Sequence, residues 1–251
     1  MLIDCHCHLS FPEFASDRQS VLESLKSDFY AVIESTINLT GTETALKTFA
    51  DEPLVRFALG FHPYYAAECD EAVVARYAGL IEENKRVVAI GEVGLDYKSE
   101  APLEIQKAAF ERFIDLAKEL DLALVIHNRG FKEQLLKIVK EKGIKKVIFH
   151  CFSQDKEFLQ EVIAGGYYVS FAGNLTYKNA HLLKEAAKSA PLDKILSESD
   201  CPYLAPQVIR GKRNDPRYVK EVIKEIAALK GKDEGEVEEA VLANAKNIFR
   251  I

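Results

Sequence analysis

The sequence predicts a (β/α)8 barrel, an α/β fold in which eight parallel strands alternate with helices. Short apolar runs rich in β-branched residues alternate with amphipathic stretches, and eight such runs occur. The 251 residues match the roughly 250 residues that such barrels occupy as one domain. A doubly wound open sheet would need a Gly-rich phosphate loop after its first strand, and this sequence has none there. We therefore expect a single domain over residues 1–251.

The eight predicted strands share an aliphatic centre bounded by polar residues or glycine. They cover residues 2–6, 30–36, 55–60, 86–93, 122–128, 146–151, 167–172 and 194–199. Because a helical stretch separates each strand from the next, the connections are crossovers and the sheet should be parallel. Eight such units close naturally into a barrel.

The helices between the strands carry start signals of their own. Ser16 and Gln19 have the spacing of a capping box for a helix over residues 16–27. Asp215 followed by Pro216 predicts an N-cap and a first helical position. Further helices are predicted over residues 102–120, with Pro102 in the first turn, and over residues 234–249.

Composition restricts the class of protein. Hydrophobic residues make up 48% of the chain, yet no stretch approaches the roughly 18 apolar residues of a membrane helix. The first residues lack the basic region and cleavage site of a secretion signal, so we expect a cytoplasmic protein without a membrane partner. The odd number of cysteines, five, disfavours a disulfide framework. A net charge of -6 disfavours broad coating of nucleic acid but allows a local basic cleft.

Side chains of metal-ligand type fall at the ends of several predicted strands. In the first strand His6 and His8 face one way while Cys5 and Cys7 face the other. The complete set consists of His6, His8, Glu92, His127, His150 and Asp200. Because active sites in such barrels lie at the C-terminal ends of the strands, the pattern predicts a metal centre there.

Each ligand-type residue also has a structural interpretation. A lone HxH pair is often incidental, and a histidine at a buried strand end is commonly a core residue. Glu92 could form a salt bridge with Arg129, and Asp200 could be a turn residue. The coincidence of all six favours the metal centre. Cys5 and Cys7 could instead bind a soft metal, but the lack of another closely spaced cysteine pair disfavours this.

Two divalent ions would suit these ligands. A metal pair can lower the pKa of a bound water and stabilise charge on attacking and leaving oxygens, and a shared carboxylate suits the bridging position. Imidazole and carboxylate ligands are compatible with Mg, Mn or Zn.

Several further residues are candidates for substrate binding. His62 ends the third predicted strand and could contact a phosphate or assist the leaving group, or simply pack at the rim. Arg129 could hold a phosphate or orient Glu92. The densest basic stretch follows the eighth strand and contains Arg210, Lys212 and Arg213. It predicts a contact with an anionic polymer, the alternative being a solvated loop.

Seven segments together resemble the TatD family of metal-dependent deoxyribonucleases. They are IDCHCHL, GFHPY, GEVGLDY, IHNRG, HCFSQ, ESDCPYLAP and RGKRNDP, and they cover essentially the whole chain. The resemblance implies a (β/α)8 barrel of the metal-dependent hydrolase superfamily, two divalent metals, and phosphodiester hydrolysis of DNA, commonly single-stranded or from a 3′ end. It implies one metal on His6, His8 and Asp200, the other on His127 and His150, with Glu92 bridging and Asp200 accepting the proton of the attacking water.

Two positions depart from the family pattern. Asn128 stands where a small hydroxyl residue commonly precedes the arginine, and Gln154 stands where glycine is frequent. Neither is a ligand-type position, so the departures concern substrate preference and the shape of the loop after the sixth strand. RNA is an alternative substrate to DNA.

Two other functions remain open at this point. The first is a binuclear hydrolase acting on a small-molecule or tRNA ester, lactone or amide. Many such enzymes bridge their metals through a carboxylated lysine on the fourth strand, where this chain has Glu92, and Lys98 lies beyond the predicted strand. The second is an inactive metal-binding scaffold, which the retention of all six ligand-type residues disfavours.

Overall fold

A computed structural model describes residues 1–251 and contains eight strands, β1 to β8, in regular alternation with helices. The strands are β1 Leu2–Cys7, β2 Phe29–Ser35, β3 Val55–Leu59, β4 Val87–Asp96, β5 Ala123–Arg129, β6 Val147–Phe149, β7 Tyr168–Phe171 and β8 Ile195–Ser197. They follow chain order in one sheet, and the pairs β1–β2, β3–β4, β4–β5, β5–β6 and β7–β8 are parallel. Alternation and strand order confirm the predicted (β/α)8 fold class.

Nine α-helices connect and follow the strands. They are α1 Arg18–Leu25, α2 Leu39–Thr48, α3 Glu71–Glu83, α4 Leu103–Glu119, α5 Lys132–Lys142, α6 Lys156–Ala164, α7 His181–Ser189, α8 Val219–Lys230 and α9 Glu234–Phe249. No helix combines the length and apolar character needed to span a membrane.

The chain groups into two compact units. The terminal unit comprises Met1–Glu34, Glu52–Val55 and Cys151–Ile251, and the central unit comprises Ser35–Asp51 and Arg56–His150. Each contains part of the predicted metal-ligand set. The single domain expected from the sequence stays a prediction.

In the terminal unit, helices α8 and α9 pack against β1 and β8. The buried face of α8 consists of Val219, Val222, Ile223, Ile226 and Ala227, at helical spacing. Strand β1 is buried on both faces, as expected of a strand in a parallel sheet covered by helices.

In the central unit, β4 is buried along all ten residues and carries α4 against it. Strands β4 and β5 approach closely at Gly94, where an added Cβ would lie 1.9 Å from the carbonyl oxygen of His127. Gly94 also has φ 154, a backbone conformation that residues other than glycine rarely adopt. The glycine allows the strand that carries Glu92 to lie directly beside the strand that carries His127.

Several predicted element boundaries need correction. Strand β4 continues to Asp96, three residues beyond the prediction, and β6 ends at Phe149, before His150. The prediction of a capping box formed by Ser16 and Gln19 is wrong. The N-cap of α1 is Asp17, and its side chain makes no capping hydrogen bond. Asp17 is instead the partner of Arg213.

Two other helix starts can be compared with their predictions. The N-cap at Asp215 is confirmed, although a 3-10 turn over Pro216–Tyr218 comes before α8. Pro102 is the N-cap of α4 and lies just before its first turn. The last predicted helix agrees with α9.

Candidate metal centre

In the terminal unit, three predicted ligands lie together. The Nε2 atoms of His6 and His8 are 3.3 Å apart. One carboxylate oxygen of Asp200 lies 3.8 Å from Nε2 of His6 and 3.5 Å from Nε2 of His8. Both histidines are buried, so their donor atoms are withheld from bulk water.

The spacing of these donor atoms fits a metal ion. Ligands that each lie about 2.0–2.2 Å from one ion are separated from each other by about 3.0–3.5 Å. The observed separations of 3.3, 3.5 and 3.8 Å are close to that range. Two imidazole nitrogens and one carboxylate oxygen are also the donor types that bind Zn, Mn and related ions.

Backbone hydrogen bonds join the two segments that supply these ligands. The amide of Asp200 donates to the carbonyl of His6 at 2.9 Å, and the amide of His8 donates to the carbonyl of Cys201 at 2.9 Å. Asp200 adopts φ 53, a left-handed conformation that aspartate tolerates better than most residues. The turn after β8 is therefore fixed against β1 by the main chain.

Asp4 connects the two segments that supply these ligands. Its carboxyl group accepts hydrogen bonds from the amide and the hydroxyl of Ser199, at 2.8 and 2.5 Å. Burial raises the pKa of Asp4 to about 8, although the Ser199 hydrogen bonds act to lower it. Asp4 thus ties β1 to the residue immediately before Asp200.

In the central unit, three imidazoles approach one oxygen of Glu92. Nδ1 of His127 lies 2.5 Å and Nε2 of His150 lies 2.9 Å from Oε1 of Glu92. Nε2 of His62 lies 3.8 Å from the same atom. Ligand atoms of His62, Glu92 and His127 all lie within 4.8 Å of one another. Glu92 is therefore the common partner of three histidines.

The charges of this cluster are strongly coupled. Burial alone would raise the pKa of Glu92, but the imidazoles of His150 and His127 hold it well below its ordinary value. Burial acts to lower the pKa of His127, but Glu92 and Asp96 together raise it. The negative charge of Glu92 and the positive charge of His127 thus offset each other, because a buried charge is costly unless it is paired.

Asp96 is a site residue that the sequence analysis missed. Its carboxylate accepts a hydrogen bond from Nε2 of His127 at 2.9 Å and from the amide of Lys98 at 2.8 Å. Histidines that bind metals commonly donate their second ring N–H to a carboxylate, which fixes the ring orientation. Asp96 therefore directs Nδ1 of His127 toward Glu92. The available signal was its position four residues after Glu92, on the same face of a longer β4.

His62 differs from the other histidines of the cluster. Its Nδ1 accepts a hydrogen bond from the amide of Tyr64 at 3.2 Å, so a neutral ring carries its proton on Nε2. Burial lowers the pKa of His62 to about 4, which favours that neutral form. His62 consequently presents an N–H donor toward Glu92, an arrangement better suited to binding a phosphate oxygen than a metal.

The predicted arginine and lysine contacts occupy different environments. Arg129 is half-exposed and lies 3.5 Å from Asp96, so the alternative salt bridge between Glu92 and Arg129 is not formed. Arg210 is exposed and its guanidinium lies 4.3 Å from the centre of the Tyr177 ring. Lys212 is exposed. These three side chains remain candidates for phosphate binding.

Arg213 is engaged in contacts within the protein. Its two terminal nitrogens donate to the two carboxylate oxygens of Asp17 at 2.8 and 2.6 Å, and one also donates to the carbonyl of Glu13 at 2.6 Å. The guanidinium lies over the Phe14 ring at 4.3 Å. Because its donors are committed to this bidentate pair, Arg213 is less available to a phosphate than Arg210 or Lys212, and its phosphate-binding role stays a prediction.

Comparisons with known proteins agree over the whole chain. The family model described as TatD related DNase matches residues 3–250. An uncharacterized metal-dependent hydrolase of Bacillus subtilis (strain 168), YabD, is 38% identical over 100% of both chains. Its counterpart YcfH of Escherichia coli (strain K12) is 32% identical, with 100% of this chain and 96% of that protein covered.

Solved structures give the same result for the fold. The crystal structure of YJJV, a TatD homolog from Escherichia coli k12, matches with a TM-score of 0.93 and 25% identity, covering 100% of this chain and 98% of that one. A TatD family hydrolase from Entamoeba histolytica matches with a TM-score of 0.85 and 20% identity, covering 99% and 97%. The chain therefore belongs to the TatD family of metal-dependent hydrolases.

Proposed function

We propose that this chain is a divalent-metal-dependent deoxyribonuclease that hydrolyses phosphodiester bonds of DNA from a single-stranded 3′ end. The observation that carries the proposal is the meeting of His127 and His150 on one oxygen of Glu92. A buried carboxylate shared by imidazoles suits the bridging position of a binuclear hydrolase. The family model carries the description TatD related DNase, which supports DNA as the substrate class.

We propose two divalent ions, each with its own ligand set. His6, His8 and Asp200 would hold one, and His127 and His150 the other, with Glu92 shared. The donor spacing in the terminal unit and the donor types in both units support this assignment. When bound, such a metal pair lowers the pKa of water and stabilises charge on attacking and leaving oxygens. The donor set suits Mg, Mn or Zn.

The protein's own groups then have separate tasks. Asp200 accepts the proton of the attacking water, and its position beside His6 and His8 keeps the carboxylate oriented. His62 donates a hydrogen bond from its Nε2–H group to a phosphate oxygen. Arg129, Arg210 and Lys212 attract the sugar–phosphate backbone, which gives an acidic protein a local affinity for a polyanion. A cytoplasmic location remains part of the proposal.

The experiment that tests this function is hydrolysis of end-labelled oligonucleotides. Single-stranded DNA, duplex DNA and RNA, labelled at either end, are incubated with the chelated protein after addition of Mg²⁺, Mn²⁺ or Zn²⁺. A 5′-labelled single strand should give a ladder that shortens with time, whereas a 3′ label should be released at once as mononucleotide.

Controls in the same assay separate the alternatives. Glu92→Gln should show little hydrolysis with any ion, because the bridging charge is lost. Faster turnover of a tRNA ester or a small-molecule ester than of every oligonucleotide would refute the nuclease proposal and favour the ester hydrolase. Activity of the chelated protein without added metal would refute the metal requirement.

A further inference from the structure

Two aromatic rings flank a metal-ligand histidine in the terminal unit. Phe11 stacks on His8 with ring centroids 4.7 Å apart and an interplanar angle of 20°. Tyr203 meets His8 and Phe11 edge-on, with centroids 6.5 and 6.4 Å away. Tyr203 is 52% exposed, although large apolar rings are usually buried when the fold allows it. We name Phe11 and Tyr203 the aromatic platform.

The platform is held in place by polar contacts on the Phe11 side. Glu34 accepts hydrogen bonds from the amides of Leu9 and Ser10, at 2.7 and 3.0 Å. Arg18 donates to the carbonyls of Leu9, Ser10 and Phe11, at 2.6, 2.9 and 3.2 Å. The loop after β1 is therefore fixed by one buried carboxylate and one guanidinium.

The Tyr203 side is fixed as firmly. The amide of Tyr203 donates to the carbonyl of Asp200 at 3.0 Å, and the amide of Asn214 donates to the carbonyl of Pro202 at 3.1 Å. The Asn214 side chain donates to the carbonyl of Ser199 at 2.8 Å. Tyr203 thus has a fixed backbone and an exposed ring, a combination that reduces the entropy lost when a ligand packs on it.

We propose that the aromatic platform stacks an unpaired nucleobase of the substrate, next to the phosphate that is hydrolysed. The inference rests on the proposed nuclease function and adds a base-binding subsite to it. A phosphate held beside His8 carries its own base within the length of one nucleotide, and the ring of Tyr203 is within that reach. Stacking tolerates any base, because every base has a π-face. Specificity at this subsite would therefore be for single-stranded nucleic acid rather than for a sequence.

Charge in the same segment supports a nucleic-acid occupant. Arg210 and Lys212 are both exposed and follow Tyr203 within ten residues. An exposed aromatic ring accompanied by cationic side chains is the usual composition of single-strand binding surfaces. A small ester or lactone has neither a base to stack on the Tyr203 ring nor a chain of phosphates to contact Arg210 and Lys212.

The test compares binding of two single-stranded oligonucleotides, one intact and one with abasic sites at its three 3′-terminal positions. Affinity is measured by fluorescence anisotropy in EDTA, which prevents turnover. Tyr203→Ala should weaken binding of the intact strand about 5- to 150-fold, the range expected when one base–aromatic stack is removed. Its affinity for the abasic strand should be unchanged, and Tyr203→Phe should retain wild-type affinity for both strands.

A spectroscopic readout tests stacking directly. 2-Aminopurine placed at each of the three 3′-terminal positions in turn should be quenched on binding wild-type protein at one position, and that quenching should be lost in Tyr203→Ala. Leu182→Ala is the matched control, because Leu182 is an exposed apolar side chain of the same unit, 68% exposed. It should bind and quench as wild type does.

The outcomes separate this inference from the proposed function. If wild-type protein cleaves oligonucleotides but Tyr203→Ala binds them normally, or loses affinity equally for intact and abasic strands, the base-binding subsite is refuted and the nuclease proposal stands. If wild-type protein neither binds nor cleaves any oligonucleotide, both are refuted. Unchanged unfolding temperature of Tyr203→Ala confirms that a loss reflects the ring rather than the fold.

Discussion

The two ligand sets are built differently. In the terminal unit the donor atoms of His6, His8 and Asp200 stand 3.3 to 3.8 Å apart, and main-chain hydrogen bonds hold them there. In the central unit the imidazoles close directly onto Glu92, at 2.5 and 2.9 Å. The first set has the spacing of a site ready for an ion. The second is held by hydrogen bonds whose protons must leave before an ion can bind.

The two ligand sets are therefore held together by different kinds of contact. The terminal set relies on Asp4 and Ser199, which are part of the buried framework. The central set relies on the attraction between the imidazolium of His127 and two carboxylates, Glu92 at Nδ1 and Asp96 at Nε2. The comparison predicts that changes in the central unit alter metal affinity and pH response, while changes in the terminal unit alter either the chemistry or the fold.

The largest effect is expected at Asp200. Asp200→Asn keeps the size and one ligand oxygen but cannot accept a proton from water. Loss of a general base typically reduces kcat by about 10² to 10⁴-fold, and substrate binding should persist because no phosphate-binding group is changed. Steady-state kinetics on a single-stranded oligonucleotide measure both quantities. Near wild-type kcat in this variant would assign water activation to another group.

The second prediction compares Asp96→Asn with Asp4→Asn. Asp96→Asn removes the charge that orients His127, so affinity for the ion held by the central set should fall about 10- to 100-fold. Asp4→Asn should leave metal affinity nearly unchanged, because burial raises the pKa of Asp4 to about 8 and the carboxyl is largely neutral at pH 7. Competition with a fluorescent chelator measures both variants. Equal losses in the two would remove the distinction between the sets.

The third prediction concerns pH and the metal-free protein. The ionised form of Glu92 contributes stability above its ordinary pKa of 4.5, and this is lost as pH falls through its lowered folded pKa. The protonated form of His127 contributes below its ordinary pKa of 6.5, and this is lost as pH rises through its raised folded pKa. The pair should therefore stabilise the chelated protein most between pH 4.5 and 6.5.

Thermal unfolding of chelated wild-type protein and of Glu92→Gln across this pH range measures the contribution. The difference between the two unfolding temperatures should be largest between pH 4.5 and 6.5 and should shrink as pH rises through the raised pKa of His127. A difference that grows with pH would mean that His127 is neutral in the folded protein.

The smallest effect on catalysis is expected at Arg213. Arg213→Ala breaks the bidentate pair with Asp17 and should lower the free energy of unfolding by about 1 kcal/mol, the upper part of the range for partly exposed pairs. Lys212→Ala should leave stability unchanged but reduce the salt dependence of single-strand binding by about 0.7 in the log–log slope per lost phosphate contact. A reduced slope in Arg213→Ala, with unchanged stability, would restore its phosphate-binding role.

The sequence was informative where a local pattern determines the geometry. Residue alternation at the start of the chain predicted that His6 and His8 face the same way, and their Nε2 atoms lie 3.3 Å apart. The positions of Glu92, His127 and His150 at strand ends predicted that they meet, as they do. Asp96 was missed because an apolar run shows where a strand begins more clearly than where it ends, and β4 extends through polar residues. The pairing of Arg213 with Asp17 was not predicted for another reason: the two residues are 196 positions apart, and no local pattern contains that pairing.

The most direct test of the central claim is a metal titration of the chelated protein. Mn²⁺ is added in steps while hydrolysis of a 5′-labelled single-stranded oligonucleotide is followed, with bound metal counted at each step. We expect no hydrolysis before metal is added and full activity only when two ions are bound per chain, with Glu92→Gln inactive throughout. Full activity at one ion per chain, or hydrolysis by the metal-free protein, would contradict the account.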